Sequence, residues 1–229
     1  MKQLQLQPRL QLLAELIPPG SRLADIGTDH GYVPVYLMQR GLLGSAIASD
    51  IGAEPLQHAI NTAAEYDVEG IDFRLCPGLD AVAPEECDTI LIAGMGGETI
   101  ITILESAPWT KRGDHLLLLQ PMTKVEMLRK WLADNGYTFT GETLVFDKDH
   151  LYPIMLLRGG RQERLSEVEQ YGGVMLEGDM LYGAYLDERI KKLTIAIEGL
   201  LRARNAEQRE SAENLQRIRT GLEERRRML

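Results

Sequence analysis

Between residues 22 and 158, short apolar runs alternate with amphipathic stretches, and this alternation restricts the fold more than any other feature. Residues 22–26, 45–49, 71–75, 88–93 and 116–119 read as strands. Residues 9–17, 33–40, 54–66, 98–104 and 125–135 read as helices, the first stopped by Pro18-Pro19-Gly20. The run at 88–93 is almost wholly apolar, as a strand buried on both faces must be. Residues 137–146 and 152–158 follow as two strands with no helix between them, which predicts an antiparallel pair. The pattern specifies an α/β fold: a doubly wound, mostly parallel sheet. In such sheets ligands sit beyond the carboxyl ends of the strands, where strand order reverses. Chemistry is therefore expected in residues 27–32, 50–52, 76–79, 94–97 and 120–123.

Gly159-Gly160 marks a boundary, giving a first domain over 1–160 and a helical region over 161–229. A helical connector is expected over 165–186. Leu186, Ile190, Leu193, Ile197 and Leu200 then follow 4-3-4-3 spacing, the seam of a coiled coil. The seam fades after Arg202 and resumes at Leu215, Ile218 and Leu222. The break predicts an antiparallel helical hairpin with its turn within 205–211, where Asn205 and Gln208 have the form of a capping box. One continuous dimerising helix is the competing arrangement. A monomer is the expectation, with a dimer through the coiled coil as the alternative.

No apolar run approaches the roughly 18 residues of a membrane helix, and the N-terminus lacks the apolar core of a signal peptide. Two cysteines, Cys76 and Cys87, make no disulfide framework, so a reducing, cytoplasmic setting and no membrane are expected. The net charge of −9 argues at first against a nucleic-acid partner. Residues 186–229, however, carry 11 Lys/Arg against 8 Asp/Glu, whereas the other 185 residues carry 14 against 26. The net acidity is carried by residues 1–185.

The most informative segment is Leu23-Ala24-Asp25-Ile26-Gly27-Thr28-Asp29-His30-Gly31-Tyr32. A strand runs into Asp25-x-Gly27, then a turn, then a helix. Gly27 permits a tight turn and a close backbone approach to a ligand. Asp29 stands where a dinucleotide loop would have its middle glycine, and a pyrophosphate would meet that carboxylate. A sulfonium amino acid carries positive charge and suits the acidic loop. S-adenosylmethionine (AdoMet) is therefore the expected cofactor, with Thr28, His30 and Gly31 beside it.

Asp50 ends the second strand, where a carboxylate can accept both ribose hydroxyls of an adenosine. Gly78 lies in the next loop, and Ile51 and Leu79 are candidate apolar contacts for adenine. The fourth strand runs through Ala93 into Gly94-Met95-Gly96-Gly97, leaving a floor almost without side chains. A flat group could approach the methyl there.

Asp25-x-Gly27-Thr28-Asp29-His30, Ile92-Ala93-Gly94-Met95-Gly96-Gly97 and Leu119-Gln120-Pro121 resemble the bacterial TrmK-like tRNA (adenine-N1)-methyltransferases. The resemblance extends over essentially the whole chain, from Arg9 and Leu10 to the helical C-terminal extension. It implies a class I methyltransferase (Rossmann-like) fold with a coiled-coil appendage. It also implies methylation of adenine 22 in the tRNA D-arm, and AdoMet contacts from Asp25, Gly27, Asp29, His30, Asp50, Gly78 and Gly94. This chain departs from the family at Cys76-Pro77-Gly78-Leu79, where members usually carry Gly-Asp/Asn-Gly-Leu. A backbone group or water must then hold the adenine amino group.

Adenine N1 has an in-plane lone pair and needs no prior deprotonation, so catalysis can rest on positioning. The base becomes cationic, which a nearby carboxylate favours. Asp29 is the candidate for that role, with Tyr32 or His30 orienting or stacking the base. N1 lies on the pairing edge, so the base must leave its helix at a cost of a few kcal/mol. RNA contacts must offset that cost. Arg9, Gly96, Gly97, Pro121 and Lys124 are the nearest candidates, with Lys2, Arg129, Lys130, Arg158, Arg161, Arg164 and Arg225-Arg226-Arg227 as further cations. No metal is expected: His30, His58, His115 and His150 are scattered, and the cysteines lack zinc spacing.

Three other functions fit parts of the pattern. An AdoMet enzyme acting on a small molecule or another RNA position would show a lid over the cofactor pocket and weak salt dependence of substrate binding. An NAD-dependent oxidoreductase would bind NADH and not AdoMet. A non-catalytic assembly protein would bind AdoMet without turnover.

Overall fold

The computed structural model describes residues 2–202 and 206–229. The chain divides into two compact units, Met1–Gln162 and Glu163–Leu229. The division falls after Gln162 because Gln162 Oε1 accepts hydrogen bonds from Phe139 N and Thr138 Oγ1, tying the segment after the double glycine to the sheet.

In the first unit, helix α1 (Pro8–Leu16) precedes strand β1 (Ser21–Ile26). Helix α2 (Tyr32–Gln39), β2 (Leu43–Asp50), α3 (Ala53–Glu65) and β3 (Ile71–Leu75) follow. Then come β4 (Thr89–Gly96), α4 (Gly97–Ser106), β5 (Leu116–Thr123), α5 (Val125–Asp134), β6 (Tyr137–Asp147) and β7 (His150–Gly159). The seven strands form one sheet in the order β3-β2-β1-β4-β5-β7-β6. β1 to β5 pair in parallel, and β7 pairs antiparallel with both β5 and β6. Winding reverses between β1 and β4, so the switch point lies where those two strands end.

Leu23, Leu91 and Leu118 of the central strands are buried with Leu13 and Ile17 near α1 and Val33 and Leu37 of α2. That packing fixes α1 beside the switch point and keeps its polar face available.

Two strands run further than the sequence pattern indicates. β4 continues through Gly94-Met95-Gly96, and β5 continues through Gln120-Pro121 to Thr123. Met95 pairs with Pro121 and Gly96 with Thr123, with register shifts on either side of Met95. The expected open loop at 94–97 is thus an irregular strand end. Pro121 is compatible with it because the ladder is already broken there.

Arg129 corrects an expectation of a surface cation. Its side chain and that of Glu142 are both fully buried, joined by two bonds to Oε1 of 2.8 and 2.6 Å. It bridges α5 and β6 inside the protein and presents no charge to RNA.

In the second unit, α6 (Glu167–Gly172) opens on a capping box in which Ser166 and Glu169 satisfy each other's backbone N–H groups. α7 (Tyr182–Arg202) and α8 (Ala206–Arg227) pack against each other. Arg226 Nε donates to Asp187 Oδ1 at 3.0 Å, so the end of α8 meets the start of α7 and the two run antiparallel. Leu186, Leu193 and Ile197 are buried, as are Ala212, Ile218 and Leu222. Residues 206–211, expected within the turn, are helical. The predicted cap at Asn205 lies outside the described residues.

Candidate functional site

The loop after β1 is built from left-handed backbone. Gly27, Asp29 and Gly31 have φ of 73°, 44° and 63°. Gly27 N and Thr28 N both donate to Ser49 O, at 2.8 and 3.0 Å, binding the loop to the end of β2. A Cβ on Gly31 would lie 2.9 Å from Ala59 Cβ, so a glycine lets the start of α2 close against α3.

Asp25 is buried beneath this loop and accepts a 2.6 Å hydrogen bond from Thr28 Oγ1. Burial pushes its carboxyl up to about 6, the Thr28 bond opposes the rise and Asp50 adds to it. Asp50 uses Oδ1 to accept from Gly52 N at 2.7 Å, which shapes the loop after β2.

Two cavities meet at Gly27. One, of about 470 Å³, is lined by Asp50, Ile51, Cys76, Pro77, Gly78, Met95 and Glu98 among others. Its walls are chiefly apolar with a carboxylate at the edge, which matches a nucleoside. The other, of about 600 Å³, is lined by Asp25, Thr28, Asp29, His30, Tyr32, Ala93 and Gly94, and by residues 4–7, Arg9 and Lys148. A Cβ on Gly27 would come within 2.0 Å of Met95 Cε, so the Met95 side chain lies across the junction.

The second cavity is held by a polar network in which Gln120 is central. Its Oε1 accepts from Arg9 Nη1 at 2.7 Å and from Gly94 N at 3.2 Å, and its Nε2 donates to Pro121 O at 3.1 Å. Arg9 Nε also reaches Asp147 Oδ2 at 3.3 Å. This network pins α1 to the ends of β4, β5 and β6. Gln120 is fully buried. A lone amide ending an all-leucine strand is the signal that could have marked it.

The structure redistributes several residues singled out in the sequence. Leu79 is 2% exposed and belongs to the core, not to the lining of the nucleoside-sized cavity. Gly97 and Pro121 are buried and have no face for RNA. A Cβ on Gly97 would lie 2.6 Å from Lys124 O, so that glycine serves packing. Gly96 packs its α-carbon toward Thr123, and Lys124 is exposed at the start of α5. Arg225 donates to Gly173 O and Arg226 to Asp187, while Arg227 bonds its own helix at Glu223 O. Lys2 is paired with Glu65 and Lys130 with Asp134.

His30 and His58 are not scattered in space. Their rings stack at 4.9 Å with an 8° angle, and the ring of Tyr32 also stacks with that of His30 at 5.0 Å and 10°. Lys148 is a second residue the sequence did not reveal. It sits at φ 47° in the turn between β6 and β7, at the edge of the larger cavity.

A doubly wound sheet, an acidic glycine-rich loop at its switch point and a nucleoside-sized cavity beside it define a methyltransferase of the Rossmann-like class. A family model described as a methyltransferase domain matches residues 6–155. The tRNA (adenine(22)-N(1))-methyltransferase of Bacillus subtilis is 33% identical over 187 residues, 81% of this chain and 76% of that protein. The crystal structure of B. subtilis m1A22 tRNA methyltransferase TrmK superposes with a TM-score of 0.86 at 27% identity, covering 97% of this chain and 99% of that one. A Streptococcus pneumoniae putative tRNA (m1A22) methyltransferase, solved with S-adenosyl-L-methionine, gives 0.82 at 29%, covering 96% and 99%. The chain belongs to the tRNA (adenine(22)-N(1))-methyltransferase family. Among the described residues, no helix is long and apolar enough to cross a membrane.

Proposed function

We propose that this chain methylates N1 of adenine 22 in tRNA, using S-adenosylmethionine. The match to the B. subtilis enzyme over 81% of the chain carries the reading. The donor set fits the cofactor: an apolar cavity with Asp50 at its edge, and Asp25, Thr28 and Asp29 beyond Gly27. In this reading Asp50 accepts the ribose hydroxyls. Ile51, Gly78 and Met95 border the adenosine. Gly27 brings backbone close to the sulfur-bearing chain, and Asp25 and Asp29 face its ammonium. AdoMet supplies an electrophilic methyl group.

The protein's own work is placement. The target adenine enters over Ala93 and Gly94, where few side chains obstruct it, and Tyr32 or His30 orients its ring. N1 attacks through its lone pair, so no residue need first remove a proton. Asp29, with its side chain 64% exposed, is placed to favour the charge that develops on the base. Lys148, at the edge of the larger cavity, and the exposed Lys124, at the start of α5, meet phosphate. We read the α7–α8 hairpin as an antiparallel coiled-coil appendage, the chain as a monomer, and its setting as the cytoplasm that holds tRNA.

Incubation with labelled AdoMet and an unmodified tRNA transcript, followed by digestion to nucleosides, tests the assignment. Labelled 1-methyladenosine is the expected product. Label in another nucleoside, or in none, contradicts it.

A further inference from the structure

Asp29, His30 and His58 place their potential ligand atoms within 4.8 Å of one another. Asp29 and His30 come from the loop after β1, and His58 from α3. His30 Nε2 lies 3.7 Å from Asp29 Oδ2, and His58 Nδ1 lies 4.0 Å from Asp29 Oδ1. Both gaps exceed a hydrogen bond. His58 Nδ1 is shielded from solvent and has no hydrogen-bond partner. A carboxylate therefore stands between two imidazoles and is bonded to neither.

Those gaps suit a shared cation. Bonds of about 2.0–2.1 Å in a tetrahedral site put neighbouring ligand atoms about 3.4 Å apart. The Asp–His gaps, which end on different oxygens of Asp29, need close by about 0.3 and 0.6 Å, and the three ligand atoms, within 4.8 Å of one another, must draw together around the ion. The stacked rings run nearly parallel, so their lone pairs do not yet converge. One ring must turn about its Cβ–Cγ bond, and both side chains are 42% exposed and have room. Two imidazoles and a carboxylate select zinc, cobalt, nickel or copper over magnesium and calcium. Three protein ligands leave a coordination position for water.

We propose that Asp29, His30 and His58 bind one divalent ion of the zinc class, and that this ion inhibits methyl transfer by taking up the Asp29 carboxylate. The inhibitory half rests on the function proposed above; the binding half does not. His58 touches His30 and Asp29 but lines neither cavity and has no assigned part in holding the cofactor or the base, so it separates the two halves.

The full chain, stripped with EDTA, is titrated with Co²⁺ alone and followed by visible absorption, with Zn²⁺ as competitor. One Co²⁺ per chain is expected, displaced by Zn²⁺, with affinity lowered at least about tenfold in His58→Ala. In parallel, methylation of the tRNA transcript is measured in EDTA and in Zn²⁺. The wild type should lose activity in Zn²⁺, and His58→Ala should match it in EDTA and resist the ion. Equal Co²⁺ binding by wild type and His58→Ala, or none at about 1 mM, overturns the site. His58-dependent Co²⁺ binding with undiminished methylation in Zn²⁺ overturns the inhibition. A chain that binds Co²⁺ through His58 but methylates nothing in EDTA contradicts the function and upholds the metal site.

Discussion

The Met95 methyl group lies directly over Gly27, where a Cβ would stand only 2.0 Å from it. Gly27 also has φ of 73° and carries the loop that both cavities share. The position thus combines a backbone demand with a steric one. Gly27→Ala adds about 1–2 kcal/mol of left-handed strain and forces Met95 aside. We expect AdoMet affinity to fall at least about tenfold, since each 1.4 kcal/mol is a factor of ten. Calorimetric titration with AdoMet checks this, and an unchanged affinity contradicts the cavity assignment.

Asp25 makes two pH dependences of opposite sign. Its carboxyl titrates near 3.8 in an unfolded chain and near 6 in the fold, mainly because it is buried. Folding therefore takes up a proton between those values. The stability tied to Asp25 is present below about pH 4, is lost as pH rises to about 6, and stays lost above it. AdoMet binding should run the other way, strengthening as the carboxylate forms near pH 6. Asp25→Asn should flatten both profiles. Melting curves from pH 3.5 to 8 and AdoMet titrations from pH 5 to 8 measure them.

Arg129 is a structural cation. Replacing it with Met removes the cation that faces the buried Glu142 carboxylate, at a cost of about 3–5 kcal/mol. Urea denaturation should show that loss. A role in RNA binding would instead weaken tRNA affinity and leave stability unchanged.

Lys148 tests the entrance. Lys148→Glu should weaken tRNA binding and reduce the slope of log affinity against log salt by about one. AdoMet affinity should not change. Filter binding at several salt concentrations, beside an AdoMet titration, separates the two.

The strands were legible because each is an apolar run of the length a buried parallel strand needs, and the loops after β1 and β2 followed from them. What the sequence hid were contacts between distant segments. His30 and His58 meet because Gly31 packs against Ala59, a consequence of helix approach that no local pattern encodes. Lys148 reaches the cavity only because β6 and β7 are long enough to carry their turn there. Arg129 was partly legible: with Val125, Leu128 and Leu132 it falls on the buried stripe of α5. Gly97 and Pro121 looked like open loop because glycine and proline usually mark loops, yet here an irregular strand end uses them.

The central claim is that the methyl group goes to N1 of adenine 22. Primer extension reads it directly, because N1-methyladenine cannot pair and stops reverse transcription. An unmodified tRNA transcript treated with the protein and AdoMet should give a new stop at adenine 22, absent without AdoMet and absent when guanine replaces that adenine. Methyl transfer without a stop, or a stop at another position, would contradict the account.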